Sequence, residues 1–259
     1  MKPLSEFKKK LKVVFTDIDD TLTIDGQLPA QSYEMLWKLS NAGISIVPVT
    51  GRPAGWCEMI ARMWPVLGVV GENGALSFQY KNKRMFRTFS TDEKTRIENQ
   101  KKLEVIKAEV LKNIAGSAVA SDQFTRLFDL AIDFCEDVPP LDKSAIANIV
   151  SIFEKHGAVA KVSSIHVNGW FGDYDKKSMC ETFYKNNFGP ELKDNLDSCG
   201  FVGDSPNDEP MFGFFENSFA VANILDFKDQ LKQPPKFITT KKAGNGFVEF
   251  GNHLLGNNK

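Results

Sequence analysis

Apolar residues near the start of the chain form short runs that alternate with an amphipathic segment. Residues 30–41 carry Leu36 and Leu39 on one helical face and are followed by Gly43, a helix stop signal. Pro48 is expected at the end of its strand, because proline cannot donate to a central ladder. This alternation predicts a parallel α/β sheet. Three runs have the nearly continuous apolar pattern of strands buried on both faces: residues 11–15, 44–49 and 67–70.

The pattern changes after Gly74. A hairpin is predicted there, followed by long amphipathic helices and strands with polar residues between the apolar ones. Strands of this kind, facing amphipathic helices, indicate an α+β unit with one open sheet face. The predicted elements are strands at 75–80 and 84–89, a helix at 92–114, a strand at 126–134, a helix at 142–156, and strands at 158–162 and 164–168.

The α/β rhythm returns after Asp173. We therefore predict a Rossmann-like parallel-sheet core built from residues 1–82 and 173–259, interrupted by an inserted α+β domain at residues 83–172. The predicted elements of the second core segment are helices at 177–187 and 210–215 and strands at 199–202, 218–221 and 236–238.

The amino-acid composition excludes some classes of function but does not indicate a particular one. The chain has 259 residues, 42% hydrophobic and 25% charged, which is typical of a globular protein. A net charge of −1 gives no general reason to bind nucleic acid or an anionic membrane. Four scattered cysteines form no metal-binding or disulfide pattern. No secretory signal or membrane-length apolar run is present, so we expect a cytoplasmic protein.

Asp17 and Asp19 lie two residues apart where the first predicted strand ends. Side chains at that spacing leave the same side of an extended chain. Open α/β sheets bind ligands at the carboxyl ends of their strands, and paired carboxylates there suit Mg²⁺. The alternative is a solvated acidic turn in which Asp20 and Thr21 cap a helix.

Two further strand ends carry polar groups. Thr50, Gly51 and Arg52 offer a hydroxyl, a backbone amide and a guanidinium that could together hold a phosphate. The segment 203–208 places Asp204 and Asp208 after another apolar run. Carboxylates gathered at one sheet edge repel one another and persist around a cation.

These segments resemble the four ordered motifs of the haloacid dehalogenase (HAD) superfamily. The resemblance covers the whole chain, and Glu72-Asn73-Gly74-Ala75 resembles the signature of subclass IIB, which carries a large α/β cap inserted in the core. Cof-like sugar phosphatases, sucrose- and trehalose-phosphate phosphatases and phosphomannomutases form that branch. The matching motifs are Asp17-x-Asp19-x-Thr21, Thr50, a lysine, and Gly203-Asp204-x-x-Asn207-Asp208.

The resemblance implies a Mg²⁺-dependent phosphatase acting on a small phosphate ester, in particular a sugar phosphate. Asp17 would be the nucleophile, and Asp19 the general acid and base, with a raised pKa. Thr50 and a lysine would bind the phosphoryl oxygens. The implied metal ligands are Asp17, Asp19 through its backbone carbonyl, Asp204 and Asp208, and the implied substrate-binding residues are Gly51, Arg52, Asn73 and Asn207.

The family's lysine is Lys176 or Lys177. With Lys176 in that position, Met179, Cys180 and Phe183 fall on the inner face of the following helix. With Lys177 there, Glu181 would take an inner position instead. We therefore assign Lys176, although Lys177 then replaces the family's usual glycine.

Residues of the predicted cap could select the substrate. His166 and Trp170 also have ordinary interpretations as a structural histidine and as packing at the hinge, while Arg126 and Asp122 are interpreted as surface or strand-edge residues. A monomer or small homo-oligomer is expected. Alternative functions are a phosphosugar mutase, a non-catalytic phosphate-binding or metal-binding regulatory module, and a Ca²⁺-binding domain. The cap candidates are Asp122, Arg126, His166, Asn168 and Trp170.

Overall fold

Alternating helices and strands make up the structure, a computed structural model that describes residues 1–163 and 165–257. The helices are α1 (Ala30–Asn41), α2 (Ala54–Met63), α3 (Glu93–Asn113), α4 (Lys143–Lys155), α5 (Lys176–Phe188), α6 (Glu209–Phe214) and α7 (Ala243–Asn257). The strands are β1 (Lys2–Pro3), β2 (Val13–Thr16), β3 (Ser45–Pro48), β4 (Val69–Gly71), β5 (Leu76–Lys81), β6 (Arg84–Phe89), β7 (Ala118–Val119), β8 (Leu130–Asp133), β9 (Val159–Val162), β10 (His166–Trp170), β11 (Cys199–Gly203), β12 (Asn217–Ala220) and β13 (Phe237–Ile238).

Both ends of the chain contribute to one parallel sheet, the core sheet, in the order β1-β13-β12-β11-β2-β3. Successive residues of β2 enter different hydrophobic clusters, Val14 on one face and Phe15 on the other. A strand buried on both faces must be apolar throughout, which is why the runs in the sequence predicted these strands. The predicted α/β class is confirmed, and β3 ends at Pro48 as expected.

A second sheet extends the core sheet beyond β3. It consists of β4, β5 and β6 in antiparallel order, and a single parallel bridge joins Val49 to Val70. The predicted hairpin is thus present as β5 and β6. Its turn, Asn82-Lys83, is the place where the inserted domain was predicted to begin.

The remaining strands form the antiparallel cap sheet, in the order β7-β8-β10-β9. Val167 on β10 and Ile132 on β8 belong to the cluster that α3 and α4 complete. Because side chains alternate along a strand, His166 and Asn168 leave the opposite face. The cap sheet therefore has one face under helices and one face carrying polar residues, as the sequence pattern predicted.

Two predicted strands of the insertion have different bounds. The strand predicted at 126–134 begins only at Leu130, after a short 3-10 turn over Gln123–Thr125. The strand predicted at 164–168 runs from His166 to Trp170, and its predicted first residue, Ser164, lies outside the described residues. Among the helices described here, none is both long and apolar enough to cross a bilayer.

Candidate active site

Three buried carboxylates meet at the carboxyl edge of the core sheet. Asp17 follows β2 and Asp204 follows β11, and the backbone N–H of Asp17 donates to Val202 O at 2.9 Å. Asp208 reaches them from a 3-10 turn and accepts a 3.2 Å hydrogen bond from the backbone N–H of Asp204. One oxygen from each of Asp17, Asp204 and Asp208 lies within 4.8 Å of the others.

Lys176 completes this group. It is the first residue of α5, whose N-cap Asp175 accepts a 2.7 Å hydrogen bond from the N–H of Ser178. Lys176 Nζ donates to Asp17 Oδ1 at 2.8 Å and to Asp208 Oδ1 at 2.9 Å. Lys177 Nζ instead lies 4.7 Å from the centre of the Phe214 ring. The structure thus brings Lys176, not Lys177, to the carboxylates.

Gly74 leaves room for the backbone at the start of α5, where Lys176 lies. Its φ of +102° is in the region that favours glycine, and a Cβ there would lie 2.0 Å from the carbonyl oxygen of Asp175. Any larger residue would push the start of α5 away from the sheet edge. The Asn-Gly pair at 73–74 therefore positions the lysine from a distance in sequence.

Burial and mutual repulsion shift the pKa values of these groups. Burial raises the pKa of Asp17 to about 7; Lys176 opposes the rise, while Asp208 and Asp19 add to it. Burial also raises the pKa of Asp204, and Asp208 and Asp17 raise it further. Burial alone would lower the pKa of Lys176, but Asp17 and Asp208 raise it. The lysine therefore stays charged beside carboxylates that repel one another.

Asp19 is not one of the three clustered carboxylates and pairs with Arg52. Arg52 Nη2 donates to Asp19 Oδ1 at 2.8 Å, and Nε donates to both carboxylate oxygens at 3.1 Å. Arg52 Nη1 also donates to Glu136 Oε1 at 3.3 Å, and Glu136 Oε2 lies 2.9 Å from His166 Nε2. His166, followed by Arg52, lowers the pKa of Glu136 to about 2. This chain of charges connects the core sheet edge to the cap sheet.

The remaining predicted phosphate-binding residues surround the same edge. The buried Thr50 accepts a 3.0 Å hydrogen bond from the N–H of Arg52, and its carbonyl oxygen accepts one from the N–H of Asn73 at 3.1 Å. Asn207 Oδ1 is buried and, within the described part of the chain, has no hydrogen-bond partner. Thr50 does not line the main cavity, whereas Gly51, Arg52, Asn73 and Asn207 do.

That cavity, of about 660 Å³, lies between the core sheet edge and the cap sheet. Arg126, His166 and Asn168 line it together with the core residues. Trp170 is buried and stacks on Tyr174 with ring centroids 5.5 Å apart, so packing accounts for its position. Asp122 does not line the cavity and instead pairs with Arg126 at 3.2 Å.

The interpretation of Arg126 as a surface or strand-edge residue is wrong, because its side chain is only 1% exposed. It pairs with Asp129 at 3.0 Å and donates to the carbonyl oxygen of Gly51 at 3.0 Å. The segment around Arg126 mixes polar and apolar residues, so its burial has no local signal in the sequence. A buried arginine needs carboxylate partners. Asp122 and Asp129 supply them.

Glu72 is a buried residue whose contacts the sequence did not indicate. Its carboxylate accepts hydrogen bonds from the N–H of Ala54 at the start of α2 and from three backbone N–H groups directly ahead of β8, those of residues 127–129. Burial raises its pKa to about 7; the neighbouring Asp129 adds to this, and the backbone donors oppose it. We call this set of contacts the Glu72 clamp, because it ties the cap segment to the core.

The three carboxylates suit a hard divalent cation. Their donors are oxygens, which Mg²⁺ prefers, and a cation would offset the repulsion that raises the pKa of Asp17 and Asp204. Asp17, Asp204 and Asp208 are thus the residues that would hold it. The side chain of Asp19 is not part of this group.

The acidic site lies at the carboxyl edge of a parallel sheet, the edge at which open α/β folds bind ligands. Residues 14–123, less than half of the chain, match the family of haloacid dehalogenase-like hydrolases, and this segment contains Asp17 and Thr50 but ends before Lys176. Over this segment the chain is similar to that family.

Solved structures share the fold over nearly the whole chain. A protein of Thermoplasma acidophilum is similar with a TM-score of 0.73 at 17% identity, over 95% of this chain and 99% of that one. The sucrose-phosphatase of Synechocystis sp. PCC6803, solved with sucrose and phosphate, has a TM-score of 0.63 at 14% identity, over 95% and 98%. A phosphatase of the HAD superfamily from Bacteroides thetaiotaomicron has a TM-score of 0.63 at 17% identity, over 95% of each chain.

Proposed function

We propose that the protein is a Mg²⁺-dependent phosphatase that hydrolyses a small phosphorylated metabolite, in particular a sugar phosphate. The observation that carries the proposal is the meeting of Asp17, Asp204, Asp208 and Lys176 at the carboxyl edge of the core sheet. Mutually repelling buried carboxylates contribute little to packing, so a function with charged ligands explains them better. The proposed core comprises residues 1–82 and 173–259, and the proposed cap comprises residues 83–172.

Asp17 is the proposed nucleophile. Its carboxylate oxygen forms a bond to phosphorus while the bond to the leaving oxygen breaks, and water then hydrolyses the aspartyl-phosphate. Lys176 and Thr50 bind the phosphoryl oxygens, where positioning and charge neutralisation supply most of the catalysis. The chemistry that Mg²⁺ supplies when bound is neutralisation of phosphoryl charge.

Asp19 is the proposed general acid, giving its proton to the leaving oxygen and later accepting one from water. This role requires Arg52 to release the Asp19 carboxylate. Glu136 is the second carboxylate to which the same guanidinium already donates, at 3.3 Å, so it can hold Arg52 after the release. Arg52 would therefore link the release of the Asp19 carboxylate to Glu136, on the cap side of the cavity.

The proposal is tested by phosphate release from p-nitrophenyl phosphate and from a panel of sugar phosphates. We expect turnover with Mg²⁺, loss of turnover with EDTA, and recovery when Mg²⁺ is restored. Asp17→Asn should lower kcat by roughly 10⁴-fold or more, because the nucleophile is removed. The exposed Asp194→Asn is the matched control and should keep full activity.

Two results would contradict it. An active Asp17→Asn protein, shown by mass spectrometry to be free of deamidation, would exclude Asp17 as the nucleophile. Conversion of a sugar phosphate to its isomer without release of phosphate would indicate a mutase instead.

A further inference from the structure

The cations that line the main cavity already have carboxylate partners. Arg52, Arg126 and Lys176 line it, and each is bonded to two carboxylates. The pairs are Arg52 with Asp19 at 2.8 Å and Glu136 at 3.3 Å, Arg126 with Asp122 at 3.2 Å and Asp129 at 3.0 Å, and Lys176 with Asp17 at 2.8 Å and Asp208 at 2.9 Å.

Arg52 pairs with Asp19, the proposed acid that faces the leaving oxygen, and Arg126 donates to the carbonyl oxygen of Gly51, the residue before Arg52. Both arginines therefore belong to the leaving-group side of the cavity. Their side chains are nearly inaccessible, 7% exposed for Arg52 and 1% for Arg126, so their charges are neutralised by partners within the protein. Asp20 adds further negative charge to the lining, whereas Asp226, which also lines the cavity, pairs with Lys242 at 2.6 Å. A second anionic group on the substrate would therefore meet carboxylates rather than free cations, and like charges at that distance repel.

Uncharged polar groups also line the cavity. Ser163 and Asn168 line it from the cap side, and Asn207 Oδ1, on the core side, is a buried acceptor with no partner among the described residues. An unpaired buried acceptor is costly unless a ligand donates to it, and a hydroxyl is such a donor. The lining thus offers hydrogen bonds to hydroxyls while opposing a second charge.

We propose that the substrate's leaving group is an uncharged polyhydroxyl group, and that Glu136 and Asp122 enforce this by neutralising Arg52 and Arg126. The inference rests on the proposed phosphatase function and narrows its substrate class. It excludes phosphorylated sugar acids and bisphosphates as good substrates. The specificity comes both from repulsion of charged leaving groups and from hydrogen bonds to the hydroxyl groups of uncharged ones.

A matched pair of esters tests it. Sorbitol 6-phosphate and 6-phosphogluconate are open-chain compounds of equal length that differ at carbon 1, a hydroxymethyl group in one and a carboxylate in the other. We expect kcat/KM for sorbitol 6-phosphate to exceed that for 6-phosphogluconate at least about tenfold. Equal values, or a preference for 6-phosphogluconate, would overturn the inference.

Glu136→Gln tests the mechanism of the selection. It leaves Arg52 with one carboxylate partner instead of two, so kcat/KM for 6-phosphogluconate should rise relative to that for sorbitol 6-phosphate. Asp122→Asn should act in the same direction through Arg126. Glu58→Gln is the matched control, because half-buried Glu58 also pairs with two arginines, Arg62 and Arg87, but lies outside the cavity. An unchanged ratio in both Glu136→Gln and Asp122→Asn would contradict the assigned roles.

Failure of this inference can be told apart from failure of the proposed function. If p-nitrophenyl phosphate is hydrolysed and 6-phosphogluconate is the better of the two esters, only the charge selection is wrong. If an exposed lysine at the neighbouring opening, Lys161, binds the gluconate carboxylate, Lys161→Ala will remove that preference. If no phosphate is released from any ester, the proposed function falls and this inference falls with it.

Discussion

Lys176 and Lys177 are neighbours in sequence with different surroundings, and this difference can be measured. Lys176 Nζ contacts two buried carboxylates, whereas Lys177 Nζ lies over the Phe214 ring. Lys176→Ala should lower kcat by about 10²–10³-fold, the usual cost of removing one electrostatic contact to the reacting group. Lys177→Ala should keep kcat within a factor of about three, since Lys177 contacts the half-buried Phe214 ring and none of the three carboxylates.

Steady-state kinetics at saturating Mg²⁺, with melting temperatures recorded for both variants, would check this. A loss in Lys177→Ala as large as that in Lys176→Ala would show that the two roles have been exchanged.

The site residues at strand ends could be predicted from the sequence, because there a carboxylate directly follows the apolar run that marks a buried strand. Asp17 and Asp204 each follow an apolar run, and parallel strands bring such ends to one edge. Arg126 and Glu136 could not be placed in the same way, because their partners depend on how the cap sheet faces the core. Arg52 was expected to bind phosphate, and its pairing with Asp19 became visible only in the structure.

At the scale of elements, helices with weak local signals were missed. Neither α2 nor α7 was predicted from the sequence. α7 contains several glycines, which disfavour an isolated helix, yet it packs against α1. A Cβ at Gly251 would lie 2.4 Å from Met35, so a small residue is needed where these helices meet. Tertiary packing stabilises α7, and local sequence does not reveal such packing.

The Glu72 clamp joins two elements and gives a prediction about pH. The folded state raises the pKa of Glu72 to about 7 from an ordinary value of 4.5, mainly through burial. The folded protein therefore retains this proton where the unfolded chain has lost it. The contribution of Glu72 to the free energy of unfolding is therefore fully present below about pH 4.5. It decreases by up to ~1.4 kcal/mol per pH unit as the pH rises towards 7.

Glu72→Gln should remove this part of the pH dependence, because glutamine does not titrate. Urea unfolding of the natural protein and the variant at pH 5 and pH 7 would measure it. We expect the natural protein to lose more stability over this interval than the variant, by on the order of 1–3 kcal/mol. Parallel pH dependences in the two proteins would contradict the assignment to Glu72.

For the whole molecule, metal binding should appear as stability. A ligand that binds only the folded state stabilises it by ~2.7 kcal/mol when its free concentration is a hundredfold above Kd, which corresponds to several degrees in Tm. We expect Mg²⁺ to raise Tm and Asp204→Asn to reduce that shift strongly, while the exposed Asp194→Asn keeps it. Differential scanning calorimetry with and without Mg²⁺ would decide, and an equal shift in Asp204→Asn would place the metal elsewhere.

The strand order of the core sheet has a consequence for how the protein is made. β2 lies between β3, which follows it closely in the chain, and β11, which comes after the whole cap sheet. During synthesis, β2 and β3 therefore leave the ribosome long before β11 does. The edge of β2 that pairs with β11 stays unpaired until then. The cap sheet, by contrast, is built from one continuous stretch of chain and can pair as it emerges. Completion of this edge of the core sheet is thus among the last events in the protein's biogenesis, when Asp204 and Asp208 reach Asp17.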